Sequence, residues 1–527
     1  MDSEKASSDV GHGPATARPG YVLDERRRAA LAEVDNAKFS WFHVKICLVA
    51  GVGFFTDAYD IFAINIGATM IGYVYGHNQA LSSNQDLGLK VATPVGTLVG
   101  QLLFGWLADI LGRKRMYGVE LILMIIATFG QTVSGSGHAV NIIGVLVVWR
   151  FLMGVGVGGD YPLSAIISSE FASTRIRGRM MNAVFAFQGW GNFAAALVSL
   201  IMLFFATCLQ ITITVDFIWR LLIGIGCVPG VIALYFRLTI PETPRFTMDI
   251  ERNIQQASAD IHQRPHRKHP KASWSDFFYY FGQWKNGKIL IGTAYSWFAL
   301  DIAFYGLGLN SSIILEVIGF GTPLTSGSQK VYDNLKNISV GNLVLSAAGL
   351  IPGYWVCFLF IDSWGRKPIQ LMGFTVLTVL FIILGFGFDA LNKTKSSRDA
   401  FVFLYCLTNF FQNFGPNTTT FIVPGEAFPT RYRSTAHGIS AASGKLGAIV
   451  AQVGFAQLRN IGGTNKFVKH ILEIFAFFML TGIFSTLLIP ETKNKTLEEL
   501  SNEDQEGFVR GAGRLELDDS GLVKTVS

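Results

Sequence analysis

The chain has 527 residues, of which half are hydrophobic and 15% are charged, and its mean hydropathy is +0.38. Because soluble domains carry about 25% charged residues, this composition excludes an ordinary soluble protein and indicates one that resides in a lipid bilayer. The net charge of +6 is too small to indicate nucleic-acid binding. The five cysteines show no metal-ligand spacing, so we expect neither a metal site nor a disulfide framework.

Twelve apolar segments approach or exceed the length of about 20 helical residues that crosses a bilayer. We number them span 1 to span 12; they lie at 42–70, 89–110, 117–132, 141–167, 181–206, 219–238, 289–317, 341–361, 369–388, 400–423, 435–458 and 468–488. Basic clusters fall on one side of this arrangement, at 26–28, 113–115, 175–179, 264–271, 366–367 and 431–433. The positive-inside rule predicts that this side is cytoplasmic and that both termini lie there.

Three sequence patterns occur twice and in the same order. The stretch 105–114 after span 2 recurs in part at 362–367 after span 8, 170–177 recurs at 426–433, and Pro-Glu-Thr at 241–243 recurs at 490–492. This duplication predicts an all-α membrane protein of twelve transmembrane helices in two six-helix bundles, with a site between the bundles at mid-depth. The predicted divisions are a cytoplasmic N-terminal segment 1–40, a bundle 41–238, a cytoplasmic linker 239–288, a bundle 289–489 and a cytoplasmic tail 490–527.

Charged residues inside spans 1 and 4 are candidates for a substrate or proton path, because a charge at mid-membrane costs at least about 2.5 to 3.5 kcal/mol. Asp57 and Asp60 share a face of span 1, and two carboxylates in a low dielectric can share a proton; alternatively, one of them caps a helix contact at the water boundary. Arg150 and Asp160 are separated by about 15 Å of helix, so they cannot form one ion pair with each other. The glycines of 154–159 predict close approach of another backbone or a bend, and an ion pair that only holds helices together stays an alternative.

The second half carries a matching set of polar positions. Trp297, Asp301 and Tyr305 follow each other at a spacing of four and therefore share one face of span 7. In span 10 a proline directly before Asn417 predicts a break in the helix. Lys445 lies among small residues deep in span 11 and needs a partner, for which Asp301 and a bound anion are the candidates.

The loop pattern Gly-x-x-x-Asp-x-x-Gly-Arg-Lys at 105–114 resembles the signature of the major facilitator superfamily, and all three repeats fall where that family has its intracellular motifs. Within the superfamily, the stretches 56–62, 158–164, 297–306, 412–417 and 443–445 are similar to those of inorganic phosphate:proton symporters of fungi and plants, most of all to the fungal high-affinity type. The resemblance covers nearly the whole chain, from Glu25 to Leu500.

This resemblance, taken with the buried charges, implies roles for individual side chains. Substrate contacts are implied for Asp160, Tyr161, Gln188, Trp297, Asp301, Tyr305, Asn417 and Lys445. Proton coupling is implied for Asp57, Asp60, Arg150, Asp160 and Asp301, with Arg150 as a direct phosphate ligand left open. A gating role is implied for the loop residues Asp109, Arg113, Asp362 and Arg366. We expect Asp160 to face the central site beside Tyr161, and Lys445 to pair with a carboxylate when the site is empty.

The sequence therefore predicts a proton-coupled importer of inorganic phosphate that works by alternating access. We expect a multi-pass protein of the plasma membrane that acts as a monomer, with lipid around it and with no cofactor, metal or nucleic acid. Two alternatives stay open: a symporter for a sugar or an organic anion, since Pro-Glu-Thr-Pro-Arg at 241–245 resembles sugar porters, and a phosphate-sensing receptor on a carrier fold. An enzyme is not expected, because the sequence has no phosphate-cradling loop and no nucleophile triad.

Overall fold

The computed structural model describes residues 34–77, 79–135, 137, 140–208, 215–239, 243, 274–319, 328–501, 514–517 and 523–526. Most of segment 1–40, much of the linker 239–288 and nearly all of the first Pro-Glu-Thr copy lie outside the described residues, so the domain boundaries stay a prediction. Within the described ranges the chain is helical except for turns, short loops and one antiparallel ribbon. Its strands are β1 (Arg514–Leu517) and β2 (Val523–Val526), with Arg514 opposite Val526.

The first bundle consists of long helices with short connections. Spans 1 to 5 are Trp41–Tyr75, Ser83–Leu111, Arg113–Val133, Ile142–Phe171 and Arg177–Cys208, and span 6 is divided into Val215–Gly224 and Cys227–Thr239. The helix Trp274–Gly282 follows in the linker. Spans 1, 2, 3 and 5 extend beyond the predicted bounds at both ends and span 4 at its second end, because polar residues there continue the hydrogen-bonding ladder into the loops.

The second bundle repeats this arrangement with more interruptions. Span 7 is Trp284–Gly308, continued by Ser311–Val317; span 8 is Ser328–Leu345, the π-helical turn Ser346–Leu350 and Ile351–Trp364; span 9 is Arg366–Phe386, followed by the short helix Phe388–Leu391; span 10 is Lys395–Asn413 and Pro416–Ala427; and spans 11 and 12 are Arg433–Leu458 and Val468–Leu487. A short helix, Leu497–Ser501, follows. Among the described residues, eleven helical segments are long and apolar enough to cross a membrane. The twelfth is span 10, which breaks at the predicted proline.

The repeated loop motif has the same backbone conformation in both bundles. Gly112 joins spans 2 and 3 at φ +101°, and Gly365 joins spans 8 and 9 at φ +105°. A side chain is strained at such angles, which explains why glycine precedes Arg-Lys in both copies. Glu491 of the second Pro-Glu-Thr copy accepts hydrogen bonds from the backbone N–H groups of Arg366 (3.1 Å) and Lys367 (2.9 Å) and so caps span 9. We call the side with these loops the motif face and the other side the opposite face.

The glycines of span 4 bring three backbones together, as predicted. A Cβ atom at Gly154 would overlap the carbonyl oxygen of Thr93 in span 2, whereas one at Gly156 would lie 2.7 Å from the carbonyl oxygen of Glu120 in span 3. Span 4 is therefore fixed closely between spans 2 and 3. This packing sets the depth of the charged residues that span 4 carries.

Candidate functional site

The centre of the fold contains a buried ion pair. The Nζ atom of Lys445 in span 11 donates to Asp301 Oδ2 and to Tyr305 Oη in span 7, each at 2.9 Å. These three side chains have at most 2% of their surface exposed. Small residues of span 11 make room for the pair, since a Cβ atom at Gly444 would lie 2.9 Å from Asp301 Oδ2. Lys445 thus has the carboxylate partner that its sequence position requires.

Hydrogen bonds continue from this pair into the first bundle. The hydroxyl oxygens of Tyr305 and Tyr161 lie 3.5 Å apart, and Gln188 Nε2 donates to Tyr161 Oη at 3.1 Å. Trp297 lies beside the carboxyl of Asp301, with its ring centroid 6.2 Å from that of Tyr161. Predicted substrate residues of spans 4, 5, 7 and 11 therefore meet in one place.

Tyr354 of span 8, which was not predicted, completes the chain of hydrogen bonds. Its hydroxyl donates to Gln188 Oε1 at 2.8 Å and accepts from Asn417 Nδ2 at 2.8 Å. Asn417 also donates to Asn413 Oδ1 at 2.7 Å, across the break in span 10. The chain from Asp301 to Asn417 is therefore built from both bundles. We call it the central polar chain.

Asp160 does not face the central polar chain, contrary to our expectation. Its Oδ2 accepts from Arg237 Nη2 of span 6 at 2.8 Å, and its Oδ1 accepts from Ser164 Oγ at 2.6 Å. Consecutive residues of a helix point about 100° apart. Because Tyr161 points towards the second bundle, Asp160 is directed into the interior of the first bundle.

Arg237 joins Asp160 to a second carboxylate that sequence analysis missed. Its Nη1 atom donates to Glu120 of span 3, and its guanidinium lies 4.0 Å from the ring centroid of Tyr117. Arg237 and Glu120 are both 1% exposed. Each lies within four residues of the end of a predicted span, where a charge is usually solvated. That position explains why they were overlooked.

Asp57 lies between this cluster and the central polar chain. Both of its carboxyl oxygens are buried, and its side chain lies within reach of a hydrogen bond with Asp160. Asp160 is its strongest charged neighbour, and it also interacts electrostatically with Tyr161 and Tyr305. Asp57 thus interacts with residues of both groups.

Asp60 and Arg150 form a separate group. Asp60 accepts from Thr128 Oγ1 at 2.9 Å, and Arg150 donates to the carbonyl oxygen of Leu89 at 2.8 Å and to Gln131 Oε1 at 3.5 Å. The two side chains attract each other electrostatically. Asp57 and Asp60 therefore have different partners, and the pairing inferred from their helical spacing does not occur. The reason is that span 1 packs against several helices with polar residues, so that Asp57 and Asp60 have different polar neighbours.

The two motif aspartates close the motif face by the same contact. Asp109 of the first bundle accepts from the backbone N–H groups of Ser434 (3.3 Å) and Thr435 (2.8 Å), the second and third residues of span 11. Asp362 of the second bundle accepts from Gly178 (3.2 Å) and Arg179 (2.9 Å), the second and third residues of span 5. Each aspartate thus stabilises the positive end of a helix in the other bundle.

The motif arginines extend these contacts. Arg113 Nη2 donates to the carbonyl oxygen of Thr430 in the second bundle at 2.9 Å and to Asp109 Oδ1 at 3.4 Å. Arg366 donates to Asp362 Oδ1 at 2.9 Å and to Glu426 Oε1 at 2.8 Å. Asp109, Arg113 and Asp362 therefore bind the other bundle directly, whereas Arg366 takes part through its contact with Asp362.

Both faces of the protein are closed. On the motif side of the central polar chain, the rings of Phe185 and Phe421, one from each bundle, stack with centroids 4.4 Å apart. On the opposite side, Phe62 stacks on Tyr305 at 6.0 Å, and Ser312 Oγ donates to Asn65 Oδ1 at 2.9 Å. A cavity of about 20 Å³ beside Phe62 has room for about one water molecule. The structure is therefore an occluded state.

Two repeated bundles that enclose a buried charged site, with separate closures towards each face, define a carrier of the alternating-access class. The family described as "Sugar (and other) transporter" matches residues 46–503, and the chain belongs to this family of the major facilitator superfamily. The chain is 49% identical to the "Repressible high-affinity phosphate permease" of Neurospora crassa, over 91% of this chain and 90% of that protein. It is 50% identical to the "Inorganic phosphate transporter PHO84" of Saccharomyces cerevisiae, over 90% and 87%.

Solved structures agree with this assignment at the level of the fold. The proton:xylose symporter XylE bound to 6-bromo-6-deoxy-D-glucose superposes with a TM-score of 0.66 at 20% identity, over 88% of this chain and 98% of that one. A partially occluded, inward-open XylE from E. coli has a TM-score of 0.63 at 20% identity, over 87% and 100%. The predicted fold and the predicted resemblance are confirmed. The chain is a membrane transporter and not an enzyme.

Proposed function

We propose that this protein imports inorganic phosphate together with protons by alternating access. The observation that carries the proposal is the buried Lys445–Asp301 pair at the start of a chain of hydrogen-bond donors. Two relatives named for phosphate, each about half identical over at least 90% of this chain, support phosphate as the cargo. The titratable carboxyl in the pair supports the coupling to protons.

The central polar chain offers the donors that a phosphate anion requires. Lys445 supplies an ammonium group, Tyr161 and Tyr305 supply hydroxyls, and Gln188 and Asn417 supply amides. In the occluded structure these groups bind one another, so phosphate must replace contacts within the chain. An ionised Asp301 repels phosphate, whereas a protonated one releases Lys445 and donates a hydrogen bond of its own. Proton binding and phosphate binding therefore favour each other.

We assign proton transfer in the first bundle to Asp57 and Asp160. Asp57 is buried and interacts with both Asp160 and Tyr161. Arg237 holds Asp160 in place on the far side from the central polar chain. Asp60 and Arg150, which have partners of their own, act as a second proton station nearer to the opposite face.

The substrate reaches the site by separation of the bundles at one face at a time. We propose that the motif face is cytoplasmic, because the basic clusters at 113–115, 175–179, 366–367 and 431–433 lie there, and that the protein acts as a monomer in the plasma membrane. Release of phosphate to the cytoplasm then requires that Asp109 and Asp362 leave the helix ends that they cap. Opening towards the outside requires that the Phe62 and Asn65 contacts break.

The cargo is tested by uptake into proteoliposomes under one inward proton gradient, with labelled phosphate, xylose and glucose compared side by side. We expect phosphate uptake that Lys445→Met abolishes and that Lys469→Met leaves unchanged, since Lys469 forms an exposed pair with Asp389. Uptake of a sugar without phosphate would identify a sugar symporter. Phosphate binding without uptake of any cargo would identify a sensor.

A further inference from the structure

The described part of the chain has two buried lysines, and the proposed transport cycle uses only one of them. Lys445 belongs to the central polar chain, whereas Lys90, which is 3% exposed, lies in the second turn of span 2 near the opposite face. A lysine removed from water is unfavourable unless it has a partner or a function. Lys90 therefore calls for an explanation.

Lys90 is held between the two bundles. Its Nζ atom donates to Asp86 Oδ2, one turn earlier in span 2, at 2.9 Å, and to Asn310 Oδ1 at the end of span 7 at 3.5 Å. The Asp86 side chain is 21% exposed, so the pair reaches the rim of the opposite face. The short bond, to Asp86, lies within the first bundle, whereas the long bond, to Asn310, crosses to the second bundle.

Asn310 connects Lys90 to the central polar chain. Its Nδ2 atom donates to Gln452 Oε1 of span 11 at 3.1 Å, and Gln452 Nε2 donates to the carbonyl oxygen of Tyr305 at 2.8 Å. Hydrogen bonds thus lead from the rim of the opposite face to a residue that contacts Lys445. Lys90 lies on the side from which cargo would reach that residue.

The charge of Lys90 sets it apart from other contacts between the bundles near this face. Asn65 binds Ser311 and Ser312, Ser199 binds Ser339 at 3.0 Å, and Asn334 binds Tyr73 at 2.9 Å, all through neutral groups. A contact that only closes the face needs no cation. A cation on the path of an anion, in contrast, raises its local concentration and holds it in a low dielectric.

We propose that Lys90 is a first binding site for inorganic phosphate at the opposite face. When the bundles separate there, the long bond to Asn310 breaks and the ammonium group lines the opening. Unlike the buried Asp301, the Asp86 carboxylate is already 21% exposed at the rim, so water screens its repulsion of the anion. Phosphate binds to Lys90 there and afterwards passes to Lys445. This inference rests on the proposed function and adds an outer anion site to it.

The test is phosphate uptake by intact cells that lack their own phosphate importers, with KM and kcat measured for the wild type, Lys90→Met, Lys90→Arg and Ser199→Ala at equal surface expression. We expect Lys90→Met to raise KM about tenfold, the loss expected for one charge-assisted hydrogen bond, with kcat nearly unchanged. Lys90→Arg should restore most of the affinity. Ser199→Ala, which removes a neutral contact between the bundles, should leave KM as it is.

The outcomes separate this inference from the proposed function. If these cells take up no phosphate when they express the wild-type protein, the proposed function itself is contradicted. Wild-type uptake with an unchanged KM in Lys90→Met, or a KM in Lys90→Arg as high as in Lys90→Met, would overturn the outer site. A lower kcat at constant KM, shared with Ser199→Ala, would show that Lys90 only closes the opposite face.

Discussion

The ammonium group of Lys445 and the carboxylate of Asp301 lie 2.9 Å apart, and both belong to the second bundle. Relative motion of the bundles therefore does not by itself break this pair. What such motion does break are the links from Tyr305 to Tyr161 and from Tyr354 to Gln188. The ion pair must be opened by a proton or an anion, which is the property that coupled transport needs.

The first prediction concerns the stability of the ion pair. Removal of one partner leaves an uncompensated buried charge, which costs about 3 to 5 kcal/mol, so Asp301→Asn and Lys445→Met should each lower the unfolding temperature strongly. The double variant should recover most of the loss, because neither charge remains. Thermal unfolding in detergent, followed by tryptophan fluorescence, measures the effect.

The exposed pair of Lys469 and Asp389 is the matched control for this cycle, since its N–O distance is 2.7 Å but its side chains are 32% and 72% exposed. Its variants should change stability by about 1 kcal/mol or less. The double variant at Asp301 and Lys445 would contradict the buried ion pair if its loss of stability equals the sum of the losses in the two single variants.

The second prediction concerns Gly53, which makes room for the cluster of the first bundle. A Cβ atom there would overlap Arg237 Nη2 and Asp160 Oδ2, so Gly53→Ala should displace the guanidinium and cost about 1 to 3 kcal/mol. Gly67→Ala in the same helix is the control, because the nearest heavy atom to its Cβ would lie 3.9 Å away. Unfolding temperatures of the two variants should differ clearly, and equal values would argue against the close contact.

The third prediction concerns the closure of the motif face. Asp109→Asn together with Asp362→Asn removes a negative charge and one acceptor oxygen at each of two helix ends that join the bundles, so the state open at this face should become more populated. Spin labels at Ile110→Cys and Trp364→Cys, both at exposed positions of the motif face, report the distance between the bundles. A longer distance should appear in the variant. The control Asp389→Asn, at the other face, should leave the distance distribution unchanged; an effect as large as that of the double variant would refute the assignment.

The fourth prediction concerns Tyr354, the member of the central polar chain that sequence analysis missed. Tyr354→Phe keeps the ring, which lies edge-on to Phe185 with centroids 5.8 Å apart, but removes the hydroxyl between Gln188 and Asn417. Because this hydroxyl positions Gln188 and Asn417, and one buried hydrogen bond is worth about 0.5 to 1.5 kcal/mol, KM for phosphate should rise about two- to tenfold. Kinetics of uptake measure this change. Tyr235→Phe, at a position that is 69% exposed, should behave as the wild type.

The fold was predictable because the bilayer imposes a length on each span and the duplicated motifs give the order of the bundles. The break before Asn417 followed from a proline, and the glycines of span 4 predicted close approach of another backbone or a bend, without showing that spans 2 and 3 would be the neighbours. The breaks in span 6 and at the π-helical turn of span 8 also have a proline close by, Pro229 and Pro352, but sequence analysis did not use it. A proline at the start of a helix is tolerated, so these two positions alone did not show where each span would be interrupted.

The site was predictable where residues recur at helical spacing. Trp297, Asp301 and Tyr305 lie on one face of span 7, as expected. That face is directed towards Lys445. The direction of Asp160 was not predictable, because it depends on Arg237, which is 77 residues away in the sequence. Spacing within one helix likewise could not show that Asp57 and Asp60 have different neighbours.

The most direct test of the central claim is labelled phosphate uptake into proteoliposomes that contain either the wild type or Asp301→Asn, with and without an inward proton gradient. Folding of the variant is checked by size-exclusion chromatography. We predict that the wild type accumulates phosphate above the external concentration only when the gradient is present, and that Asp301→Asn does not accumulate it. The role of the Lys445–Asp301 pair in coupling would be contradicted if wild-type uptake is the same with and without the proton gradient. It would also be contradicted if a folded Asp301→Asn variant accumulates as much phosphate as the wild type.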